Sequence, residues 1–417
     1  MSSLAPGGSG VALTKLAVTL TSLTALIAFA LADQAALNAA AGRAADVLFS
    51  SRGWFVMATT SLFLMLAGYL CLSRFGRVRL GPDDSQPDFS LISWLAMLFA
   101  AGMGVGLLFW GTAEPLSHFA LARRYLPDNQ AATQALFITQ FNWGIHAWGI
   151  YAVTGLVLAY TAFRRNRPMT LTAVIEMGFP GDRWTGPVGW VLDTLALFAV
   201  AIGLGGSIAM GVFQIVSGLE ALVPPVAGPV LPFAILAVLV LVYTPALVVD
   251  LSRGMSVLSN LAMALAGALM LVILITGPTG FLMSTLVQSI GEYADAALVQ
   301  GLRTYSVFDP EVESWFHDWT LSYMVWWLAW APFVGVFIAR ISRGRTIREF
   351  LLGVILAPAG FSLAWFAVFG GIGFYEVLKG PGKLLTVAET QVDRLTFDVL
   401  AALPFSGVSQ WGVIVAA

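Results

Sequence analysis

The chain has 417 residues, of which 58% are hydrophobic and only 11% are charged. Soluble domains carry about 25% charged residues, so this composition excludes an ordinary soluble protein. The formal net charge is −2, and no nucleic-acid partner is expected for so apolar a chain. The single cysteine, Cys71, excludes an intrachain disulfide and a thiolate metal cluster.

Long apolar runs make up most of the chain. A helix needs about 20 apolar residues to cross the hydrocarbon core of a bilayer. Runs of this kind lie at 16–40, 54–72, 91–112, 137–162, 186–218, 227–249, 256–280, 319–341 and 350–377. They predict an all-α integral membrane protein with about nine complete membrane helices. A further run starts near residue 407 and reaches the last residue too soon to span, which predicts a truncated tenth helix.

The Lys and Arg residues concentrate in alternate loops. Arginines cluster at 74–79, 164–183 and 340–348, whereas the segment 300–318 is acidic. By the positive-inside rule, this distribution predicts a cytoplasmic N-terminus. The first run is long enough to span and lacks a clear cleavage site, so no cleavable signal is expected. The sequence thus predicts a multi-pass protein of the cell's inner (plasma) membrane.

Four arginines lie at and just after the end of the run 319–341. The simplest interpretation is a solvated cytoplasmic face that fixes topology, and contact with anionic membrane lipids is the alternative. The four are Arg340, Arg343, Arg345 and Arg348.

Three glycines at alternate positions interrupt the run 91–112. Gly102, Gly104 and Gly106 each cost about 1 kcal/mol relative to alanine inside a helix. Close helix packing in lipid is one use that justifies the cost. The other is a broken helix, whose free backbone groups bind a ligand or an ion. The mid-span position favours the break, because transporter sites lie at that depth.

Two spans carry aromatic side chains far from their ends. Trp143, Trp148 and Tyr151 lie in the run 137–162, where a continuous helix would fan their rings over less than half its circumference. A second set in the run 319–341 consists of Tyr323, Trp326, Trp327 and Trp330. Interfacial belts and ordinary core packing are the alternatives for such residues.

The spans contain almost no Lys, Glu or Asp near mid-membrane. A quaternary ammonium has no N–H to donate, and the negative faces of indole and phenol rings attract it. Each contact contributes about 0.5–2 kcal/mol. A box of three or four rings would therefore bind such a cation with micromolar to millimolar affinity.

Two titratable residues fall near these motifs. His146 is interpreted as a hydrogen-bonded core histidine, and a proton relay is the alternative. Glu114 and Pro115 are expected to end the broken helix. Glu114 is interpreted as a hydrogen-bonded structural residue, and a coupling site is the alternative. Further along, the segment 281–318 has apolar residues at roughly helical spacing, which indicates an amphipathic helix at the outer interface or a packed loop helix.

One long motif is specific enough to suggest a family. It comprises Asp318–Trp327, then Trp330–Phe333, then the basic stretch Arg340–Phe350. These residues resemble the signature helix and following basic loop of the betaine/choline/carnitine transporter family. The glycine-interrupted span and the Trp143 span fit that family in order and spacing. One difference is Met324, which stands where the family usually has a further Trp.

The resemblance implies a fold and an assembly. Members have twelve membrane helices, ten of them in two inverted five-helix repeats of the leucine-transporter type, and they assemble as homotrimers. The corresponding organisation here would be a short cytoplasmic tail, two peripheral helices, a first repeat, an interfacial helix with an outer loop, and the start of a second repeat. These segments would be 1–15, 16–80, 81–280, 281–318 and 319–417.

The resemblance also implies a substrate site. Residues of two spans would form the box around a trimethylammonium group: Trp143, Trp148, Tyr151 and Trp327. Trp326 and Trp330 would serve alternative sites on the inward route. Backbone around Met103 and Gly106 would face the substrate carboxylate. Choline and proton-coupled relatives tend to carry Asp at the position of Gly106, so Gly here favours a betaine-like zwitterion.

Sodium is the coupling ion that the resemblance suggests. One ion would bind carbonyl groups of Ala100 and Met103, since hard cations prefer oxygen ligands. A second would lie near Phe333, but the hydroxyl residues expected there are Val200 and Leu204. The sequence thus predicts an importer of glycine betaine or a similar compatible solute, with no other cofactor.

Other functions remain alternatives. One is a sodium-independent exchanger or a proton-coupled carrier for choline- or carnitine-like substrates, although exchangers place an arginine at the position of Met263. An enzyme acting on lipid headgroups is disfavoured, because three histidines and one cysteine form no cluster at ligand spacing. A channel is also disfavoured, because channel pores are lined by carbonyl or charged groups and need no aromatic box.

Overall fold

The computed structural model describes residues 8–102, 104–223, 228–248, 251–305, 309–379, 384–385, 392–401, 403, 407 and 410–413. Helices make up most of the described chain. Those of the first half are α1 Gly8–Ala32, α2 Gln34–Leu72, α3 Leu91–Gly102, α4 Val105–Ala122, α5 Asp128–Asn142, α6 Ile145–Arg165, α7 Leu171–Gly178 and α8 Thr185–Leu222. Those of the second half are α9 Leu231–Val248, α10 Leu251–Thr276, α11 Thr279–Gln300, α12 Pro310–Phe316, α13 Ser322–Ile341, α14 Ile347–Lys379 and α15 Val392–Ala401.

Seven helical segments of the described chain are long and apolar enough to cross a membrane. They are Gly10–Ala32, Gln34–Leu72, Asp128–Arg165, Thr185–Leu222, Ser259–Thr276, Pro310–Ile341 and Ile347–Lys379. An all-α, multi-pass membrane protein is therefore confirmed. The predicted run 91–112 divides into α3 and α4 and is not in this set. The run near 407 lies mostly outside the described residues.

The first two helices differ from the apolar runs. The predicted gap at 41–53 is helical, because α2 already begins at Gln34. Asp33 caps this helix, and its side chain accepts a hydrogen bond from the Ala36 N–H at 2.9 Å. The residues that follow are rich in alanine, which has the highest helix propensity. Propensity thus extends a helix where hydropathy alone indicates a loop.

The chain folds into two compact units. Unit 1 comprises Met1–Asp88, Gly149–Gly205 and Gly301–Leu352. Unit 2 comprises Phe89–Trp148, Gly206–Gln300 and Gly353–Ala417. Each unit therefore joins segments that are far apart in the sequence. The α5–α6 region crosses from one unit to the other just after Trp148.

In unit 1, a loop pairing joins the chain after α2 to the chain before α14. Arg79 and Thr346 form an isolated antiparallel bridge, and Leu80 exchanges backbone hydrogen bonds with the 344–345 segment. Arg345 is buried here, and the Arg348 Nε donates to the Cys71 carbonyl at 2.8 Å. Arg345 therefore packs against protein, whereas Arg340, Arg343 and Arg348 are exposed. The predicted cytoplasmic side of this face stays a prediction.

Gly344 is the tightest point of this pairing. Its φ of +82° lies in the left-handed region, and a β-carbon there would overlap the Gln86 carbonyl. We expect Gly344→Ala to lower the midpoint of thermal unfolding by roughly 2–8 °C, because alanine pays both strain and overlap. Gly68→Ala is the matched control in the same unit, since a β-carbon there meets no atom within 4 Å. Equal midpoints for the two variants would contradict this account of the loop.

Candidate functional site

The glycine-interrupted span is broken in the structure. Helix α3 ends at Gly102 and α4 begins at Val105, so the predicted break is confirmed. Met103 lies outside the described residues. Beyond the break, the Trp365 indole donates to the Leu107 carbonyl at 2.9 Å. This bond ties a side chain of α14 to the first turn of α4, next to the break.

Close packing, the other use of glycine, also occurs here. A β-carbon at Gly106 would lie 2.8 Å from Cη2 of Trp143, closer than real side chains approach. Within unit 2 the first turn of α4 therefore lies directly against this indole. The Trp143 ring also packs against Phe366, with ring centroids 5.6 Å apart. Gly106 and Trp143, both predicted site residues, are thus brought together.

Glu114 holds the same indole from its polar end. The Trp143 Nε1–H donates to one Glu114 carboxylate oxygen at 2.8 Å, and the Asn142 side-chain amide donates to the other at 2.9 Å. The His118 ring nitrogen lies 3.3 Å from that second oxygen. All four side chains are buried. The prediction of a hydrogen-bonded glutamate is correct, but its link to Trp143 has no signal in the sequence.

The expected end of the broken helix at Pro115 is wrong. Helix α4 continues to Ala122 with Pro115 inside it. A proline removes one hydrogen bond from a helix, but membrane helices tolerate it where neighbouring helices repack around it. Here Gly370 of α14 packs against the proline ring, since a β-carbon at Gly370 would lie 2.9 Å from Pro115 Cγ.

A second break lies where the sequence predicts a continuous helix. Helix α5 ends at Asn142 and α6 begins at Ile145. The Ile145 N–H donates to the Tyr293 hydroxyl at 2.8 Å, and that hydroxyl occupies the place of a β-carbon on Gly144. Burial raises the pKa of the Tyr293 phenol well above its usual range, so the inserted group stays neutral. Trp143 therefore does not share one continuous helix with Trp148 and Tyr151, and the ring positions predicted for such a helix are wrong for Trp143.

The four rings predicted for the substrate box are all buried. Trp143, Trp148, Tyr151 and Trp327 are at most 6% exposed. In unit 1, Tyr151 of α6 meets Trp327 of α13 edge to face, with ring centroids 5.1 Å apart. Trp148 lies one turn before Tyr151 on α6. Burial argues against an interfacial belt for these four residues.

The remaining aromatic candidates are more exposed. Trp326 and Trp330 stack at 6.4 Å, and Trp326 is 42% exposed. Gly203 of α8 lies against Trp330, whose indole nitrogen would overlap a β-carbon there. Phe333 meets Trp330 edge to face and is 47% exposed. Trp326, Trp330 and Phe333 thus form an aromatic group in unit 1.

A π-helical turn, His317–Leu321, precedes α13 and its aromatic residues. The Ser322 hydroxyl donates back to the His317 carbonyl across five residues, at 3.0 Å. Such turns are rare and frequently occur at functional sites.

Two other residues singled out in the sequence have fewer described contacts. Ala100 lies in the last turn of α3, and His146 packs its ring on Phe141, with ring centroids 4.8 Å apart. The described part of the chain holds no group of three or more His, Cys, Asp or Glu residues that would bind a metal ion.

These features define a class of protein. Membrane helices that break beside buried aromatic rings, with side chains satisfying the freed backbone, are typical of secondary transporters. Comparison with known sequences gives the family. The profile of the betaine/carnitine/choline family transporters (BCCT) matches residues 15–417. The chain belongs to this family, which is one of transporters and not of enzymes, as the sequence predicts.

Individual relatives are similar over most of this chain. The glycine betaine transporter OpuD of Bacillus subtilis is 39% identical over 365 residues, which are 86% of this chain and 70% of the relative. A glycine betaine transporter of Acinetobacter baylyi is 38% identical, covering 86% of this chain and 54% of that protein. The high-affinity choline transport protein of Escherichia coli K12 is 37% identical, covering 87% and 53%. The chain thus spans little more than half the length of the last two.

The Glu114–Trp143 contact generates a test. Glu114→Gln removes the buried charge, and Trp143→Phe removes the N–H that it accepts. If the two side chains act as a pair, we expect a coupling energy of about 1–3 kcal/mol in a double-mutant cycle on unfolding. Glu311→Gln, an exposed carboxylate, is the control and should couple to Trp143→Phe by less than about 0.5 kcal/mol. Additive losses for Glu114 and Trp143 would contradict the pairing.

Proposed function

We propose that the protein imports glycine betaine, or a closely similar quaternary-ammonium solute, across the plasma membrane by alternating access. The observation that carries the proposal is the buried edge-to-face pair of Tyr151 and Trp327, with centroids 5.1 Å apart. In such a pair a cation can bind the face of one ring while the second ring borders it on another side. The relatives described above, which are glycine betaine and choline transporters, support the same substrate class.

The proposed recognition needs no charged partner for the ammonium. Trimethylammonium binds the faces of Trp143, Trp148, Tyr151 and Trp327, and each contact contributes about 0.5–2 kcal/mol. The carboxylate of Glu114 accepts the Trp143 N–H, which fixes the ring and adds electron density to it. Backbone near Met103 and Gly106 faces the substrate carboxylate. Trp326 and Trp330 receive the solute on its inward route.

Sodium is the proposed coupling ion. Carbonyl groups of Ala100 and Met103, at the break between α3 and α4, are suited to a hard cation. A second ion near Phe333 has less support, because Val200 and Leu204 offer no side-chain oxygen. Met263 replaces the arginine of sodium-independent exchangers, which favours symport over exchange. The proposal further includes inverted repeats of the leucine-transporter type, a homotrimer and a cytoplasmic N-terminus.

Uptake by proteoliposomes tests the function. Labelled glycine betaine should enter saturably when a sodium gradient is imposed, and the same potassium gradient should give no accumulation. Choline and carnitine in parallel distinguish the alternative substrates, and a proton gradient distinguishes proton coupling. If no quaternary amine enters under any of these gradients, the proposed activity is wrong.

Trp327 provides the sharpest mutational test. We expect Trp327→Ala to raise the apparent KM for glycine betaine about tenfold or more, because a cation–π contact is lost. Trp327→Phe keeps an aromatic face and should raise KM by less. The measurement is initial uptake rate against betaine concentration. Equal losses in the two variants would indicate packing instead of cation recognition.

Gly106 tests the geometry of the other ring. Gly106→Ala forces a β-carbon into Trp143, so the indole must move, and we expect betaine affinity to fall about tenfold. Gly267→Ala in α10 is the matched control in the same unit, because a β-carbon there meets no atom within 4 Å. Equilibrium binding of labelled betaine to purified protein gives both values. An unchanged affinity for Gly106→Ala would remove Trp143 from the proposed site.

A further inference from the structure

A cleft in unit 2 lies apart from the proposed transport site. Helices α5, α11 and α14 enclose it, and its volume is about 170 Å³. None of the residues proposed to bind the transported solute or sodium lines it. Cavities of about 150 Å³ hold a benzene molecule, so this one has room for a small organic ion.

The lining combines phenyl rings with one charge. Phe137, Phe281 and Phe374 come from the three different helices. Glu292 of α11 is exposed and is the only charged side chain among the described lining residues. Phenyl faces attract cations, and a single carboxylate without a basic neighbour in the lining adds to that attraction. An anion would find neither a Lys nor an Arg side chain in this lining.

Hydrogen bonds between polar side chains tie the walls of the cleft together. Gln288 of α11 donates to the Thr133 hydroxyl of α5 at 3.2 Å, directly between two walls. Deeper in the unit, the fully buried Gln140 amide donates to the Ser289 hydroxyl at 3.0 Å, and Ser289 lines the cleft. The wall formed by α11 is therefore fixed to α5 at two levels, which favours a preformed site.

We propose that this cleft binds a trimethylammonium group, separately from the transport site. The methyl groups contact Phe137, Phe281 and Phe374, and Glu292 lies on the open side as counter-ion. The ligand class is a quaternary-ammonium compound, either a free solute such as choline or the choline headgroup of a lipid. The inference does not require the proposed transport cycle, because no residue is shared between the two sites.

Binding of labelled tetramethylammonium to the purified full chain tests the proposal. The Trp327→Leu background weakens the transport site, so saturable binding that persists there reports a second site. In that background Glu292→Gln should weaken binding about tenfold, and Phe281→Leu by a similar factor. Asp295→Asn is the matched control, an exposed acid on the same helix outside the lining, and should leave the affinity unchanged.

Two further comparisons sharpen the result. Choline should compete at least tenfold better than its uncharged isostere 3,3-dimethylbutan-1-ol, and equal competition would overturn a cation site. Nanodiscs of phosphatidylcholine and of phosphatidylglycerol distinguish the source. Weaker tetramethylammonium binding in phosphatidylcholine supports a lipid headgroup as occupant, and equal binding in both supports a free solute.

The outcomes separate this site from the transport function. Two outcomes would overturn the proposed binding site in the cleft, provided that the thermal unfolding midpoints of the variants match that of the parent. One is the absence of saturable binding in the Trp327→Leu background, and the other is an equal effect of Glu292→Gln and Asp295→Asn on affinity. Uptake of betaine without cleft binding would leave the proposed function standing alone. Binding in the cleft without betaine uptake would support the cleft site and contradict the proposed transport function.

Discussion

In a bilayer, every backbone N–H and C=O needs a partner supplied by the protein, and the rest of this structure depends on that constraint. Breaking a helix frees such groups, each of which would cost several kcal/mol in hydrocarbon. The described part of unit 2 contains two breaks, and a side chain bonds to the backbone beside each. At the second break this bond supplies the partner of a freed N–H, because the first N–H groups of a helix have no intrahelical acceptor. The Trp365 indole donates to the Leu107 carbonyl, and the Tyr293 hydroxyl accepts from the Ile145 N–H. The breaks are thus built features, not local melting.

The two breaks come together at Trp143. This residue sits at the second break, and its ring lies against Gly106 just after the first. Glu114 then accepts its N–H, and Asn142 and His118 surround the same carboxylate. A buried carboxylate is costly unless N–H donors surround it. The Asn142 and Trp143 donors lie at the end of α5 and the accepting carboxylate lies on α4, so these two hydrogen bonds fix the position of α5 against α4.

The sequence predicts much of this arrangement, and what it misses has a physical reason. Glycines inside an apolar run are costly enough to signal the break near Gly104, and the burial of Trp148 and Tyr151 follows from their depth in a span. At the second break a lone glycine, Gly144, is too weak a local signal, because the hydroxyl that fills the break belongs to Tyr293, 148 residues from Ile145. The early start of α2 does have a local signal, the helix propensity of its alanines, but hydropathy does not register that signal. Pairings between distant helices are the part that local patterns do not contain.

Glycine is the means by which indole rings come close to backbone in both units. Gly106 faces Trp143 in unit 2, and Gly203 faces Trp330 in unit 1. An indole held against a helix backbone has little rotamer freedom left to lose when a ligand arrives, so more of each ring contact remains as affinity. The same close fit makes the rings sensitive to any change in the glycine helix. A shift of α4 about its break would therefore move Trp143 directly, which links backbone geometry to the ring that is proposed to hold the substrate.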